Sequence, residues 1–399
     1  MLQISNSNLM PIEGEILINV EAELGEVRSV VITSSRLLHI TQLLEGKSII
    51  SATDLINRTY SLCNTAHRLS LLRLLDSTAL IELSNNELSA YQLLLDLETV
   101  KEHCFSIFTK WHQGFGNNID PSFIDILKTL KQISAMLFSS ADPLSLVDKE
   151  LLAFNSIDNF LSKLDGQLNR SLIGNQADHV GALTDIDNFD KWLGNSNSNC
   201  ANFLNYLKIF GFSGLGDTEA CHLADLDLQK IGVLMQDVNF IKQPVYQNTV
   251  FETTPFSRQN KHQLIGQLMI RHGNGLFTRS VAQLLEVFGL LHNIRHNYAG
   301  IKSERISHKI RDFDSELNAI VHLEAARGRL FHQVTLRENM IKSYQILAPT
   351  EWNFHPKGVL YRMIGSINYN DKEDLVNKIK LLVNAIDPCV GYRLEVVCY

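Results

Sequence analysis

The sequence predicts an α+β protein that is mainly helical, with long central helices and small peripheral β-sheets. Near the N-terminus apolar residues alternate with mostly polar ones, which is the period of a half-buried strand. Farther along, apolar residues recur every three or four positions over long stretches, which is typical of helices that bury one face. Short strand-like pieces between residues 333 and 349 predict a second region of sheet.

The composition excludes several classes of protein. The 399 residues are 45% hydrophobic and 20% charged, unlike collagen-like or broadly disordered chains. The net charge of −7 argues against nucleic acid as a partner, because neutralising phosphates takes a basic face. No uncharged run is long enough to span a membrane, no secretory signal is visible, and six scattered cysteines do not form a disulfide framework. We therefore expect a reduced, cytoplasmic protein.

The N-terminal alternation predicts a β-hairpin. Residues 16–24 form its first strand, Gly25-Glu26 its turn and residues 27–33 its return strand.

Helical periodicity follows in the first half of the chain. It predicts helices over residues 54–75, 83–109, 121–137 and 150–169, with a break at 139–143. The Gly-, Asn- and Ser-rich segment 194–199 predicts a loop where the chain could divide. We treat residues 1–399 as one domain.

The second half predicts helices and strands together. Residues 262–291 read as one long helix, with Gly273-Asn274-Gly275 as a weak interruption, and residues 333–349 as short strands. A final amphipathic helix covers 370–386, with Asn370 as its N-cap and Glu373 in a capping box. Asp387-Pro388 ends it.

Two cysteines have neighbours that suggest chemistry. Cys63 lies four residues before His67, so both side chains share one face of a helix. Cys389 directly follows Asp387-Pro388 at a helix end. Thiolates from two distant segments can bind a soft metal or an iron centre, although a free cysteine is more often a small buried hydrophobe. Motifs of hydrolases, kinases and dehydrogenases are missing from the sequence.

Six short segments, in order, resemble motifs of nickel-iron hydrogenase large subunits. The first cysteine motif of that family, RxCGxCxxxH, resembles Arg58-Thr-Tyr-Ser-Leu-Cys-Asn-Thr-Ala-His67, and the final DPCxxCxxH begins as Asp387-Pro-Cys389. The other four segments are Pro-Ile-Glu-Gly-Glu at 11–15, Glu-Thr-Thr-Pro-Phe-Ser-Arg at 252–258, Glu-Ala-Ala-Arg-Gly at 324–328 and Ala-Pro-Thr-Glu-Trp-Asn at 348–353. They resemble the family's Arg-Ile-Glu-Gly-His, E-T-G-P-L-A-R, E-A-P-R-G and V-P-T-T-W-N elements.

The departures from the family pattern bear on activity. Tyr60 and Tyr392 stand where the family has two of its four metal-binding cysteines, which leaves Cys63 at a bridging position and Cys389 at a terminal nickel position. The metal-binding histidine of the last motif is replaced by Glu395, and an acidic residue at a structural magnesium site by Thr41. The resemblance therefore implies a chain that is not an enzyme and in which nickel is not expected.

A degenerate large subunit of this kind resembles the HupK/HoxV family of hydrogenase accessory proteins. That resemblance implies a maturation scaffold that transiently holds an iron group with its cyanide and carbonyl ligands, Fe(CN)2(CO), on Cys63 and Cys389. Arg327 matches an arginine that lies over the diatomic ligands and would donate hydrogen bonds to a cyanide nitrogen. Glu13 matches a proton-transfer position. The implied partners are a maturation chaperone carrying the iron fragment and the immature hydrogenase large subunit.

Structural roles remain open for the same residues. His67 and Arg58 fit either surroundings of a metal site or ordinary packing, and Arg327 could pair with a buried carboxylate, for which Glu324 is the candidate. Tyr60 and Tyr392 either fill the core or plug the nickel pocket. The alternative functions are a divergent hydrogenase subunit and a metal-free structural or interaction subunit of a redox complex. The resemblance also predicts that the sulfurs of Cys63 and Cys389 lie within about 10 Å of each other, because two thiolates on one metal are only about 4 Å apart.

Overall fold

The computed structural model describes residues 14–35, 39–111, 120–153, 156–174, 178–223 and 225–399. The strands are β1 (Glu15–Glu23), β2 (Glu26–Ser34), β3 (Lys149–Leu151), β4 (Glu304–Ile306), β5 (Leu317–Ala325), β6 (Gly328–Arg337), β7 (Met340–Leu347) and β8 (Gly391–Cys398). The α-helices are α1 (His39–Gln42), α2 (Ile49–Thr59), α3 (Asn64–Ser77), α4 (Asn85–Thr109), α5 (Ser122–Met136), α6 (Ile157–Leu168), α7 (His179–Ala182), α8 (Ile186–Asn195), α9 (Asn199–Ile209), α10 (Leu228–Leu234), α11 (Val238–Lys242), α12 (Pro255–Gln259), α13 (Gln263–His272), α14 (Leu276–Ala299), α15 (Pro349–Asn353), α16 (Val359–Gly365) and α17 (Lys372–Ile386). A short π-helix, Asn169–Ile173, continues α6.

The predicted N-terminal hairpin is confirmed, and it is part of a three-stranded sheet. The strand order is β2-β1-β8, with β1 antiparallel to β2 and parallel to β8. The hairpin turns at Leu24-Gly25, one residue earlier than predicted, where both residues have positive φ. The sheet brings the C-terminal segment that follows Cys389 alongside the first described strand.

The helix predicted over 54–75 is wrong as a single element. It is two helices, α2 and α3, separated by residues 60–63. Tyr60 takes an extended backbone that ends α2, and Cys63 is the N-cap of α3. Apolar periodicity does not detect this break, because the stripe continues on both sides of it. As a result Cys63 lies at a helix N-terminus instead of inside a helix.

Two other predicted helices need correction. Residues 149–151 form β3, which pairs with β4, and the helix predicted over 150–169 begins only at Ile157. The helix predicted over 262–291 divides into α13 and α14, because Gly273 has a φ of +68° and ends α13. The next glycine, Gly275, packs against the backbone of Gly214 too closely for a side chain.

The interior of the fold is built on the long helices α4 and α14. They pack along each other, and one apolar core surrounds them. Residues 196–198 only join α8 to α9, and Leu193 and Cys200 on either side belong to that same core. The assignment of the whole chain to one domain stays a prediction.

The second sheet, β5-β6-β7, is antiparallel and packs against α3. The chain then passes through α15 and α16 to α17, whose N-cap is Asp371 and not the predicted Asn370. The Asp371 carboxylate accepts the N–H of Asp374 at 2.9 Å. The predicted capping box with Glu373 is therefore wrong by one residue. Asp387 ends α17 in a left-handed conformation, with a φ of 57°.

Candidate functional site

Cys63 is placed by the break between α2 and α3. Its side chain is of intermediate burial, and its carbonyl accepts the N–H of His67 in the first turn of α3. The Cys63 side chain does not cap this helix. Glu98 of α4 does so instead, accepting the N–H groups of Thr65 at 2.8 Å and Ala66 at 3.2 Å. Burial raises the pKa of Glu98, although these hydrogen bonds act in the opposite direction.

Cys389 is placed by the turn between α17 and β8. It is buried, with 9% of its surface exposed. Its Sγ lies 3.1 Å from Oγ1 of Thr350, a buried residue of α15. Either atom can be the donor, because a thiol and a hydroxyl each have one hydrogen. The thiol is therefore fixed by a polar contact with another motif segment, which its position in the sequence did not indicate.

Arg327 lies in a buried cluster of charges. Its Nη1 is 3.0 Å from Oε2 of Glu102 on α4, and its Nε is 3.5 Å from Oδ2 of Asp387. Lys110 also pairs with Asp387. Burial alone favours a neutral Asp387, but the positive charges of Arg327 and Lys110 outweigh it and lower the Asp387 pKa.

The predicted carboxylate partner of Arg327 is wrong. Glu324 pairs instead with Arg329, at 2.6 Å, and with Arg258, at 3.3 Å. Glu324 lies on β5, whereas Arg327 is in the tight turn between β5 and β6, and its side chain reaches Glu102 of α4 and Asp387 at the end of α17. The partners Glu102 and Asp387 are far away in sequence, so local spacing could not reveal them.

Arg327 also connects the two cysteine segments. Burial acts to lower the pKa of Arg327, but the negative charges of Asp387 and Glu102 raise it above the ordinary value, and Cys389 and Cys63 act in the same direction. One guanidinium is therefore within electrostatic range of both thiols. Both cysteine segments therefore interact electrostatically with Arg327. The separation of the two sulfurs stays a prediction.

Asn353 and Gly328 join three of the motif segments. The Asn353 side chain accepts the N–H of Thr253 at 2.9 Å and donates to the carbonyl of Arg327 at 3.1 Å. Gly328 has a φ of +133°, and a Cβ there would lie 1.7 Å from the carbonyl oxygen of Thr253. The short motifs found in the sequence thus include residues that position the backbone beneath Arg327.

His67 belongs to a buried hydrogen-bonded line that the sequence did not reveal. Its Nδ1 lies 2.9 Å from Nε2 of His332, and Nδ1 of His332 lies 2.7 Å from the hydroxyl of Tyr344. Burial lowers the pKa of His332 to about 3, so this ring is neutral near pH 7. The ring of Tyr60 stacks on His67 with centroids 3.5 Å apart. The sequence could have indicated only that His332 and Tyr344 lie on neighbouring strands, β6 and β7.

The remaining predicted residues lie in different surroundings. Arg58 is exposed on the last turn of α2, and Thr41 is partly buried on α1. Tyr392 and Glu395 are both on β8, where Tyr392 packs against the core and Glu395 is exposed. Burial raises the pKa of Tyr392. Glu13 lies outside the described residues.

The described residues were also compared with the arrangements that metal ions require. Within the described ranges, no three His, Cys, Asp or Glu side chains come together in a group that could bind a metal ion. Nor does any helix in the described part of the chain combine the length and apolar character needed to cross a membrane.

The chain was compared with a protein-family model and with solved structures. Residues 277–391 match the family model described as nickel-dependent hydrogenase. The fold matches [NiFeSe] hydrogenase from Desulfovibrio vulgaris Hildenborough, with a TM-score of 0.69 and 15% identity over 92% of this chain and 93% of that chain. It also matches the enzyme from Desulfomicrobium baculatum, with a TM-score of 0.63 and 14% identity over 93% and 95% of the two chains. The resemblance predicted from the motifs is confirmed at the level of the fold and of one segment: the chain has the fold of a [NiFeSe] hydrogenase large subunit, and residues 277–391 match the nickel-dependent hydrogenase model.

Two curated proteins are similar to part of this chain. The hydrogenase expression/formation protein HoxV of Cupriavidus necator is 43% identical over 81 residues, which are 19% of this chain and 21% of HoxV. HupK of Rhizobium leguminosarum bv. viciae is 41% identical over 75 residues, covering 18% and 20% of the two chains. The chain thus matches about a fifth of the length of these relatives.

Proposed function

We propose that this protein is an accessory scaffold for the maturation of a nickel-iron hydrogenase and transiently holds an Fe(CN)2(CO) group before its transfer to the catalytic large subunit. The observation behind the proposal is that Arg327 lies within range of both Cys63 and Cys389. Two thiolates are the protein ligands, and one buried guanidinium supplies hydrogen-bond donors for a cyanide nitrogen.

The donor set suits an iron group that arrives with its own ligands. Cyanide and carbonyl already occupy positions on the iron, so two thiolates complete much of the coordination. Arg327 Nε is buried and makes no hydrogen bond, although Asp387 lies 3.5 Å away. An anionic ligand would satisfy this buried donor of Arg327, whose guanidinium also feels the charges of both thiols.

A second metal has less support. The first motif position is Tyr60, whose ring is stacked on His67 and offers no sulfur. Tyr392 replaces a further thiolate, and its position on β8 is partly buried against the core. A nickel ion in the family manner would need the four thiolates of which two are replaced, so hydrogen turnover is not expected.

The relatives support the maturation role and its partners. HoxV and HupK are named hydrogenase expression/formation proteins. On that basis we infer that the cargo comes from a maturation chaperone carrying the iron fragment and passes to the immature hydrogenase large subunit.

A metal-free structural or interaction subunit is the second candidate. It is favoured by the fact that the cluster is largely satisfied without cargo: Arg327 is balanced by Glu102 and Asp387, and the Cys389 thiol contacts Thr350. In that case the two cysteines would serve only to pack the core.

Infrared spectroscopy separates these functions. The protein is purified without oxygen from a host that expresses the iron-cofactor assembly proteins, and the cyanide and carbonyl stretching region is recorded with iron and nickel counts on the same sample. We expect diatomic bands with iron and without stoichiometric nickel. Cys63→Ala and Cys389→Ala should each remove the bands and the iron.

Cys398→Ala is the matched control, because Cys398 is also a cysteine of intermediate burial and lies near Cys389 in sequence. Its bands should remain unchanged. Bands with stoichiometric nickel would support a divergent hydrogenase subunit instead. Protein without bands or metal, even with the assembly proteins present, would support the metal-free subunit.

A further inference from the structure

A small cavity is lined in part by Thr350, the residue whose hydroxyl contacts the sulfur of Cys389. Its volume is about 250 Å³, and it lies between the end of β2, the end of α11 and the helix α15. Thr33, Gln243, Phe354 and Thr350 are among the residues that line it. This volume corresponds to about eight water molecules of liquid, so it accommodates a metal ion with a few diatomic ligands but not a peptide.

Thr350 is common to the cavity and to the thiol. It is a wall of the cavity, and its Oγ1 lies 3.1 Å from Cys389 Sγ. Only 4% of Thr350 is exposed. One small side chain is therefore in contact with the cavity and with the sulfur at the same time.

The buried charges near Cys389 make it difficult for a ligand to approach past Asp387. Asp387, two residues before Cys389, is buried and paired with Arg327 and Lys110. A ligand arriving from that side would have to separate buried ion pairs, which is costly. The cavity wall at Thr350 is a hydroxyl and a methyl group, and neither is part of an ion pair.

We propose that this cavity is the route by which small ligands reach Cys389, and that Thr350 is the side chain that controls their passage. The proposal rests on the proposed function only for the identity of the natural cargo, the iron group with its diatomic ligands. Lys242 and Glu351 both line the cavity. Because the two signs of charge are both present, entry is selected by size more than by charge.

The Thr350 hydroxyl suits a controlling position for a chemical reason as well. A hydroxyl donates one hydrogen bond and accepts others, and it changes role by rotation. It can accept from the Cys389 thiol before a ligand arrives and donate to the sulfur once the thiol has lost its proton. The same side chain thus accommodates both states of the cysteine.

The route is tested by alkylation of the cysteines in metal-free, reduced protein. Iodoacetamide is the small probe, and a maleimide coupled to a bulky dye is the large one. Mass spectrometry of the digested protein gives the rate at each cysteine. Cys398 is the accessible reference, and Cys104, with 0% exposure, is the inaccessible one. We expect iodoacetamide to label Cys389 at a measurable rate and the bulky reagent to label it at least tenfold more slowly.

Two variants locate the route. Gln243→Trp places a large ring in the cavity and should slow labelling of Cys389 by iodoacetamide about tenfold. Val245→Trp is the matched control, because Val245 is exposed and two residues away but does not line the cavity. Thr350→Ser keeps the hydroxyl and removes a methyl group, so labelling of Cys389 should be at least threefold faster. All rates are divided by that of Cys398, which corrects for a general change in folding.

Three results would overturn the proposal. They are an unlabelled Cys389 after Cys398 has reacted completely, equal effects of Gln243→Trp and Val245→Trp, and a Cys389 rate that Thr350→Ser leaves unchanged. Because alkylation uses no iron, a failure here is distinct from a failure of the scaffold function. Conversely, a protein that never binds the iron group could still show the predicted pattern of labelling.

Discussion

At Arg327 one guanidinium balances two buried carboxylates, Glu102 and Asp387. Arg327→Met leaves these carboxylates with one buried counter-charge fewer, so we expect the free energy of unfolding to fall by about 3–5 kcal/mol. Urea denaturation at neutral pH measures the change. Adding Glu102→Gln to Arg327→Met should recover part of the loss, because it removes a buried carboxylate that keeps only Lys101 as a counter-charge.

Arg337→Met is the control for the loss of an arginine. Arg337 pairs with Glu338, but both side chains are more than half exposed, so the change should stay within about 1 kcal/mol. Equal effects at positions 327 and 337 would contradict the role given to the buried cluster.

Gly328 is required by the close approach of Thr253. Gly328→Ala should lower the free energy of unfolding by about 3 kcal/mol or more, because it combines an unfavourable positive φ with a severe overlap. Gly289→Ala is the matched control. Gly289 lies inside α14, and a Cβ there meets no atom within 4 Å, so this change should stabilise the protein by about 0.5–1 kcal/mol. Thermal unfolding of the two variants should therefore shift in opposite directions.

The candidate site could be predicted only in part from these residues. The motif order identified Cys63, Arg327 and Cys389 as residues to examine, and the structure places all three in one electrostatic neighbourhood. The partners Glu102, His332 and Thr350 were missed. Glu102 and His332 lie in segments without a recognisable pattern, and Thr350 lies in the 348–353 motif but gives no local sign of its contact with Cys389. All three contacts depend on how distant helices and strands pack.

Among the elements, α3, β6 and β7 are joined by the line from His67 through His332 to Tyr344. The His332 pKa of about 3 lies below its ordinary value of 6.5 because the ring is buried. The unfolded chain therefore binds a proton at this ring between about pH 6.5 and pH 3, and the folded protein does not. Above about pH 6.5 the His332 ring does not reduce the free energy of unfolding. Below that pH the free energy of unfolding falls with pH, by about 1.4 kcal/mol per pH unit in the middle of the range.

His332→Gln should reduce this acid sensitivity. We expect a shallower slope of the unfolding free energy between pH 4.5 and 6, even though the variant is less stable at pH 7. His292→Gln, which replaces an exposed ring, controls for the loss of one histidine. An unchanged slope in His332→Gln would mean that other groups determine the acid response.

Loss of the N-cap of α17 should destabilise the protein less than the changes at Arg327 and Gly328. Asp371→Ala removes the acceptor for the N–H of Asp374 and should cost about 1 kcal/mol. Asp371→Asn keeps a capping oxygen and should cost less. If Asn370→Ala were the more damaging change in chemical denaturation, the sequence-based assignment of the cap would have been the better one.

The elements that were predicted well share a simple physical basis. The strand β1 and the helix α5 have uninterrupted apolar periodicity and a single buried face, so local pattern and tertiary packing agree. The helix α4 is buried on most sides, and its length and apolar content were enough to predict it. The errors occur where the backbone turns inside a continuing apolar pattern. Residues 60–63 and Gly273 are the two clearest cases, and both turns are stabilised by contacts that periodicity does not encode.

At the scale of the whole molecule, the predicted meeting of Cys63 and Cys389 has a direct test. Cd²⁺ is a soft ion that prefers thiolates, and its binding by two sulfurs gives a thiolate-to-metal absorption in the ultraviolet. We expect this absorption in the reduced protein and its loss in Cys63→Ala and in Cys389→Ala alike. Cys221→Ala, which changes another partly buried cysteine, should leave it unchanged. Loss in only one of the first two variants would show that the sulfurs do not share a metal.

The parallel pairing of β1 with β8 has a consequence for biosynthesis. Glu15 lies beside Gly391 in the register of the two strands. During translation, β1 therefore cannot pair with β8 until the ribosome has passed residue 391. Contacts between such distant segments form slowly. The segment that contains Cys389 is tethered by the same pairing, so a nascent chain cannot present both thiols together. Any loading that uses both thiols would then follow translation of the segment around residue 391.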